Sequence, residues 1–150
     1  MRPRPRVLVA NGNDDVLGAL EDALSGAGFD VKTVHVRAIR LGAIDFATLF
    51  HEFRPSVAIV DIGPPYPENW AFAQVLVKHP AASHVPFLWT TTNGKALTEF
   101  TGVVVPELLL KPYDLESLLE KVERLVGDPS GGARLPPLLK RGGEEGGGTG

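Results

Sequence analysis

The sequence predicts an α/β fold in which a five-stranded parallel sheet carries helices on both faces. Short apolar, β-branched runs such as Val57-Ala58-Ile59-Val60 are bounded by turn formers, as fully buried strands require. Segments with helical spacing separate these runs, and the strand–helix alternation repeats five times. A chain of 150 residues, 43% hydrophobic, is large enough for one domain with a proper core.

Taken in order, Arg6-Val7-Leu8-Val9-Ala10 is the first strand and stops at the turn cluster Asn11-Gly12-Asn13. Asn13 or Asp14 then caps a helix, with Asp14 and Asp15 suited to its positive end. Val16, Leu20 and Leu24, joined by Ala19, Ala23 and Ala27, form its predicted apolar face, and Gly26 and Gly28 end it. Residues 29–36 form a second strand. Its Lys32 and His35 mark it as an edge. Residues 36–42 read as an irregular connection. Residues 43–53 have helical spacing at Ile44, Ala47, Leu49, Phe50 and Phe53. The third strand ends at Asp61, and Ile62 to Pro67 reads as neither strand nor helix.

Glu68 or Asn69 opens the next helix, with Trp70, Phe72, Ala73, Leu76 and Val77 as buried positions. His79-Pro80 closes it, since a residue before proline avoids the helical region. Residues 86–90 are the fourth strand, followed by a short helix over residues 95–101. Leu108-Leu109-Leu110 is the fifth strand. Asp114 caps a last helix with Leu115, Leu118, Leu119, Val122, Leu125 and Val126 on its apolar side, ended by Gly127. Beyond residue 127 the composition changes: eight of the last twenty residues are glycine. Such a segment buries too little apolar area to offset its ordering entropy. The expected organisation is a folded domain over residues 1–127 and a flexible Gly/Pro-rich tail over residues 128–150. Five strands with right-handed crossovers fit the flavodoxin-like order 2-1-3-4-5.

A net charge of −3 gives no overall footprint for nucleic acid or anionic lipid. The absence of cysteine excludes disulfides, thiol chemistry and Cys-ligated metal. No apolar stretch approaches a bilayer span, and no signal-peptide core is present, so a cytoplasmic location without membrane contact is expected. The alternating Arg2, Arg4 and Arg6 read as a solvated N-terminus. His35, His51, His79 and His84 lack metal-ligand spacing, and Trp70 and Trp89 are assigned to the core. Gly26-Ala27-Gly28 follows a helix and precedes a strand, the reverse of a dinucleotide-binding loop.

In a parallel sheet the carboxyl ends of the strands share one edge, where ligands bind. That edge collects Asn11 and Gly12, Asp61, Thr91 and Lys111. A carboxylate can accept a phosphoryl group, while an ammonium and a hydroxyl can hold its oxygens.

Residues 6–126 resemble the receiver domains of two-component response regulators. Val57 to Asp61 is similar to the strand that carries the family's phosphoacceptor aspartate, and Pro65 to its loop proline. Pro86 to Thr91 resembles the strand ending in the switch hydroxyl, and Leu108 to Leu115 the Lys-Pro segment, whose Lys-Pro bond is usually cis. The resemblance implies a receiver-type fold and a signalling module rather than an enzyme. Asp61 would be the phosphoacceptor, with Thr91 and Lys111 binding the phosphoryl group. Mg²⁺ would be held weakly, at a degenerate site of Asn11, Gly12, Asp61 and Gly63. Implied partners are a histidine kinase or phosphotransfer protein, a downstream protein target and a second copy as homodimer, with no nucleic acid and no output domain.

Two departures stand out. The family's metal-binding acid pair is Asn11-Gly12 here, and Leu108 replaces the family's aromatic residue. Without neighbouring carboxylates, the nearest cation to Asp61 is expected to be Lys111, in a direct ion pair. Two functions stay open: a single-domain response regulator in phosphorelay signalling, or a receiver-like interaction module that works without phosphorylation.

Overall fold

The computed structural model describes residues 4–92, 95, 108–111 and 114–127. Its five strands are β1 (Arg6–Asn11), β2 (Asp30–His35), β3 (Val57–Asp61), β4 (Phe87–Thr91) and β5 (Leu108–Leu110). All pairings are parallel, and the order is β2-β1-β3-β4-β5, as expected from the sequence. β2 is an edge, and its buried and exposed residues alternate accordingly.

Strand alternation sends successive side chains to opposite faces, and each face buries its own core. Val7, Val9, Val57, Ile59 and Leu88 pack against α1 (Asp14–Gly26) and the last helix, α5 (Leu115–Gly127). Leu8, Ala10, Ala58, Val60, Phe87 and Trp89 pack against α2 (Val36–Arg40), α3 (Phe46–Phe53) and α4 (Tyr66–Lys78). On this second face Phe50, Phe87 and Trp89 stack in sequence, with ring centroids 6.2 and 5.2 Å apart. Trp70 and Trp89 are both fully buried.

Local chemistry explains where the helices begin. Asn13 Oδ1 accepts from the backbone N–H groups of Asp15 and Val16 and caps α1. Asp45 does the same for α3 through Thr48, and Asp114 for α5 through Ser117. Arg54 ends α3 at φ 54°, a left-handed conformation that favours glycine.

Four details depart from the sequence expectations. Residues 36–40 form α2, whose single turn is too short to show periodicity. α4 starts at Tyr66 rather than Glu68 or Asn69, because Pro67 falls in its first turn, where a missing N–H costs nothing. The buried stripe of α1 is Leu17, Leu20 and Leu24. Val16 is only partly buried, and Ala19 and Ala27 are exposed. A short 3₁₀ turn, Pro80–Ala82, follows α4, with His79 Nδ1 accepting from Ala81 N–H. The expected helix over 95–101, the Lys111-Pro112 peptide bond and the tail from residue 128 lie outside the described residues. No helix among the described residues is long and apolar enough to cross a membrane.

Candidate functional site

The parallel register brings the ends of β1, β3, β4 and β5 to one edge. Asp61 is the last residue of β3 and lies opposite Thr90 of β4. Ile62 N–H donates to the Thr90 carbonyl at 2.8 Å and fixes the chain as it leaves the strand. Lys111 directly follows β5. Its backbone N–H donates to the Thr91 carbonyl at 2.8 Å and extends the β4–β5 ladder by one residue.

These backbone positions set the side-chain geometry. Lys111 Nζ lies 2.8 Å from Asp61 Oδ1, which is the ion pair expected from the loss of the neighbouring acids. The side chains are 21% and 16% exposed, so the pair is shielded from water and salt more than a surface bridge would be. Thr90 Oγ1 donates to the same Oδ1 at 2.7 Å. Neither contact engages Oδ2, which lies on the Gly63 side: a Cβ placed on Gly63 would come within 3.9 Å of it.

Thr90 was not singled out by the sequence. Because it is in register with Asp61, it shares that residue's face of the sheet, while Thr91, fully buried, alternates to the other. Three consecutive threonines conceal this choice in the sequence; only the β3–β4 register makes it.

The positions expected to hold Mg²⁺ fit that ion poorly. Asn11 is buried, and its Oδ1 accepts from Asn13 N–H at 2.9 Å. Gly12 has no side chain, and the space where one would lie is open. The Gly63 carbonyl accepts from Asn69 Nδ2 at 2.6 Å. Asp61 Oδ1 is shared by Lys111 and Thr90. Mg²⁺ demands near-ideal octahedral oxygens, usually with carboxylates among them, and here Asp61 is the one carboxylate in the set. Among the described residues no group of three or more His, Cys, Asp or Glu side chains could hold a metal ion.

Beside Asp61 the edge opens into a cleft of about 510 Å³ between α2 and α4, lined among others by Gly12, His35, Arg37, Arg40, Gly63 and Asn69. Outside it, His79 accepts from a backbone N–H and packs edge-on against Phe46, while His51 and His84 are exposed.

No protein-family model matches the sequence, and no curated protein does. Solved structures do match. The chemotaxis response regulator CheY4 of Vibrio cholerae aligns at 22% identity with a TM-score of 0.62, over 82% of this chain and 99% of that one. A sensor protein from Polaromonas sp. JS666 aligns at 22% identity and a TM-score of 0.66, over 84% and 98%. A response regulator receiver protein from Sinorhizobium medicae WSM419 aligns at 24% identity and a TM-score of 0.59, over 83% and 96%. At these identities the likeness is one of architecture, in keeping with the parallel strand order and the helices on both faces. The chain has the CheY-like, flavodoxin-type fold of response regulator receiver domains.

Proposed function

We propose that this chain is a response regulator that accepts a phosphoryl group on Asp61 and signals through protein–protein contact. The observation that carries the reading is the Asp61–Lys111 pair at the carboxyl edge of the sheet, 2.8 Å apart and beside an open cleft. Lys111 holds one carboxylate oxygen and leaves Oδ2 to attack. In the transfer, Oδ2 bonds to phosphorus as the donor's bond to phosphorus breaks, and the product is an acyl phosphate on Asp61. The leaving group takes up a proton as it departs. The Lys111 ammonium then neutralises a phosphoryl oxygen. A hydroxyl from the end of β4 supplies a second contact. Thr90, which donates to Asp61 in the resting state, is that hydroxyl, whereas Thr91, the switch residue expected from the sequence, is buried on the opposite face of the sheet.

The donor is a histidine kinase or phosphotransfer protein, and the receiver of the signal is a downstream protein or a second copy of this chain. The phosphoryl group biases a two-state equilibrium of the face around β4 and its neighbours. Incubation with a small-molecule phosphodonor tests the reading: wild type gains one phosphoryl mass and Asp61→Asn gains none.

A second reading, an interaction module independent of phosphorylation, is favoured by one observation. The Asn11, Gly12 and Gly63 positions provide no charged metal ligand, and two of the candidate oxygens are already hydrogen-bonded. Absence of phosphoryl incorporation at high Mg²⁺, with the fold intact, would select it.

A further inference from the structure

We infer that the cleft between α2 and α4 is a binding site for a phosphate monoester of nucleotide size, and that it works without a divalent cation. The inference goes beyond the phosphoryl acceptor role and does not depend on it. The cleft's volume of about 510 Å³ falls within the range of small-molecule sites. Its charge is unusual for an edge that would otherwise gather acids. Arg37 and Arg40 line it, and among the described residues Asp61 is its one carboxylate. Asp61 is already neutralised by Lys111, so the two arginines leave the cleft positive. Neither arginine has an ion-pair partner among the described residues.

Arg40 is also positioned. It donates from Nη1 to Asn69 Oδ1 at 2.8 Å, and Asn69 in turn donates to the Gly63 carbonyl. The guanidinium carbon lies 5.9 Å from the centroid of the Phe72 ring. A guanidinium held this way loses less freedom when it binds an anion, and its fork geometry suits phosphate oxygens. Two guanidinium groups match a phosphate dianion. Val36, Ile62 and Ala73 supply apolar wall for an organic group attached to it. Arg37 and Arg40 would repel a cation in this cleft and attract a phosphate.

The test is a calorimetric titration of the protein in EDTA with AMP, inorganic phosphate and adenosine. AMP is expected to bind with a Kd of about 1 mM or tighter, phosphate more weakly and adenosine not at all. Arg37→Ala and Arg40→Ala, both at exposed positions and checked for fold by circular dichroism, are each expected to weaken AMP at least about tenfold. Asp61→Asn, which abolishes phosphoryl acceptance, is expected to bind AMP at least as tightly as wild type. No AMP binding, equal binding by the Arg40 variant, or binding only after Mg²⁺ is added would overturn the inference. Binding of AMP by Asp61→Asn separates this site from the acceptor reaction, since either can fail while the other stands.

Discussion

Lys111 and Thr90 share a single oxygen of Asp61, Oδ1, at 2.8 and 2.7 Å. The carboxylate is thereby oriented, and Oδ2 is left for chemistry. A lysine at a strand end places positive charge directly beside this carboxylate.

This arrangement makes Lys111 energetically coupled to Asp61. In a double-mutant cycle of Asp61→Asn and Lys111→Met, measured by denaturant unfolding, the coupling is expected between about 0.5 and 3 kcal/mol. The pair is mostly shielded, so salt should reduce it only modestly. Phosphoryl incorporation in Lys111→Met is expected to slow by about a hundredfold, in line with loss of one charged donor to a developing oxyanion. Additive single mutants would mean that the contact carries no weight.

The two threonines are separable. Thr90→Val keeps shape and removes the hydrogen bond to the carboxylate, with an expected loss of about 1.5 kcal/mol. It should also alter the rate of phosphoryl incorporation. Thr91→Val, on the opposite face of the sheet, should leave the incorporation rate close to wild type. Kinetics of incorporation by mass spectrometry distinguish the two. Equal rates in both variants would remove the distinction.

Trp89 precedes Thr90 on β4 and is fully buried. A change at Asp61 that displaces Thr90 should therefore reach the Trp89 indole. In a Trp70→Phe background, which leaves Trp89 as the single indole, phosphodonor is expected to shift the emission intensity. The Asp61→Asn version should show no such change.

Two helix caps contribute to the acid sensitivity of the fold. Hydrogen bonds from the Thr48 hydroxyl and its backbone N–H hold the Asp45 carboxyl below its ordinary value of 3.8. The backbone N–H of Ser117, then its hydroxyl, do the same for Asp114. A depressed folded pKa gives stability that is fully present above 3.8 and lost as pH falls through the folded value. Asp45→Ala and Asp114→Ala should each melt below wild type near neutral pH. The gap should close as the pH falls below 3.8 and through the lowered folded values. A gap that persists unchanged in acid would contradict the assignment.

Arg54 adopts a left-handed conformation at the end of α3. Arg54→Gly removes that strain but keeps the carbonyl that accepts from Arg6 Nε. The variant is expected to gain up to about 1 kcal/mol in chemical denaturation. A loss would show that the Arg54 side chain stabilises the fold by more than its backbone costs.

Much of this architecture was legible because its signals are local. Val57 to Asp61 is an apolar run with an acid at its tip, and Leu108 to Lys111 repeats the pattern with a base. Parallel order then puts the two tips together without further information. The Asp61–Lys111 pair followed from that placement and from the missing acids at Asn11 and Gly12. What stayed hidden depends on register or on single turns. Thr90 is distinguished from Thr91 only by its partner across the sheet. α2 offers one turn of helix, too little for a period, and so the arginines it carries to the cleft read as part of a connection. Pro67 reads as a breaker in the sequence, although the first turn of a helix accepts it. In α1 Leu17 is buried and Val16 only partly, a choice of helix face that spacing alone does not fix.

The central claim is that Asp61 is a phosphoryl acceptor, and residue-level trapping tests it most directly. After incubation with a small-molecule phosphodonor, borohydride reduces an aspartyl phosphate to homoserine, and peptide mass spectrometry locates the converted residue. The account predicts homoserine at position 61 and nowhere else, and none when Asp61→Asn is treated identically. Folded wild-type protein that yields no homoserine at position 61, with or without Mg²⁺, would contradict it.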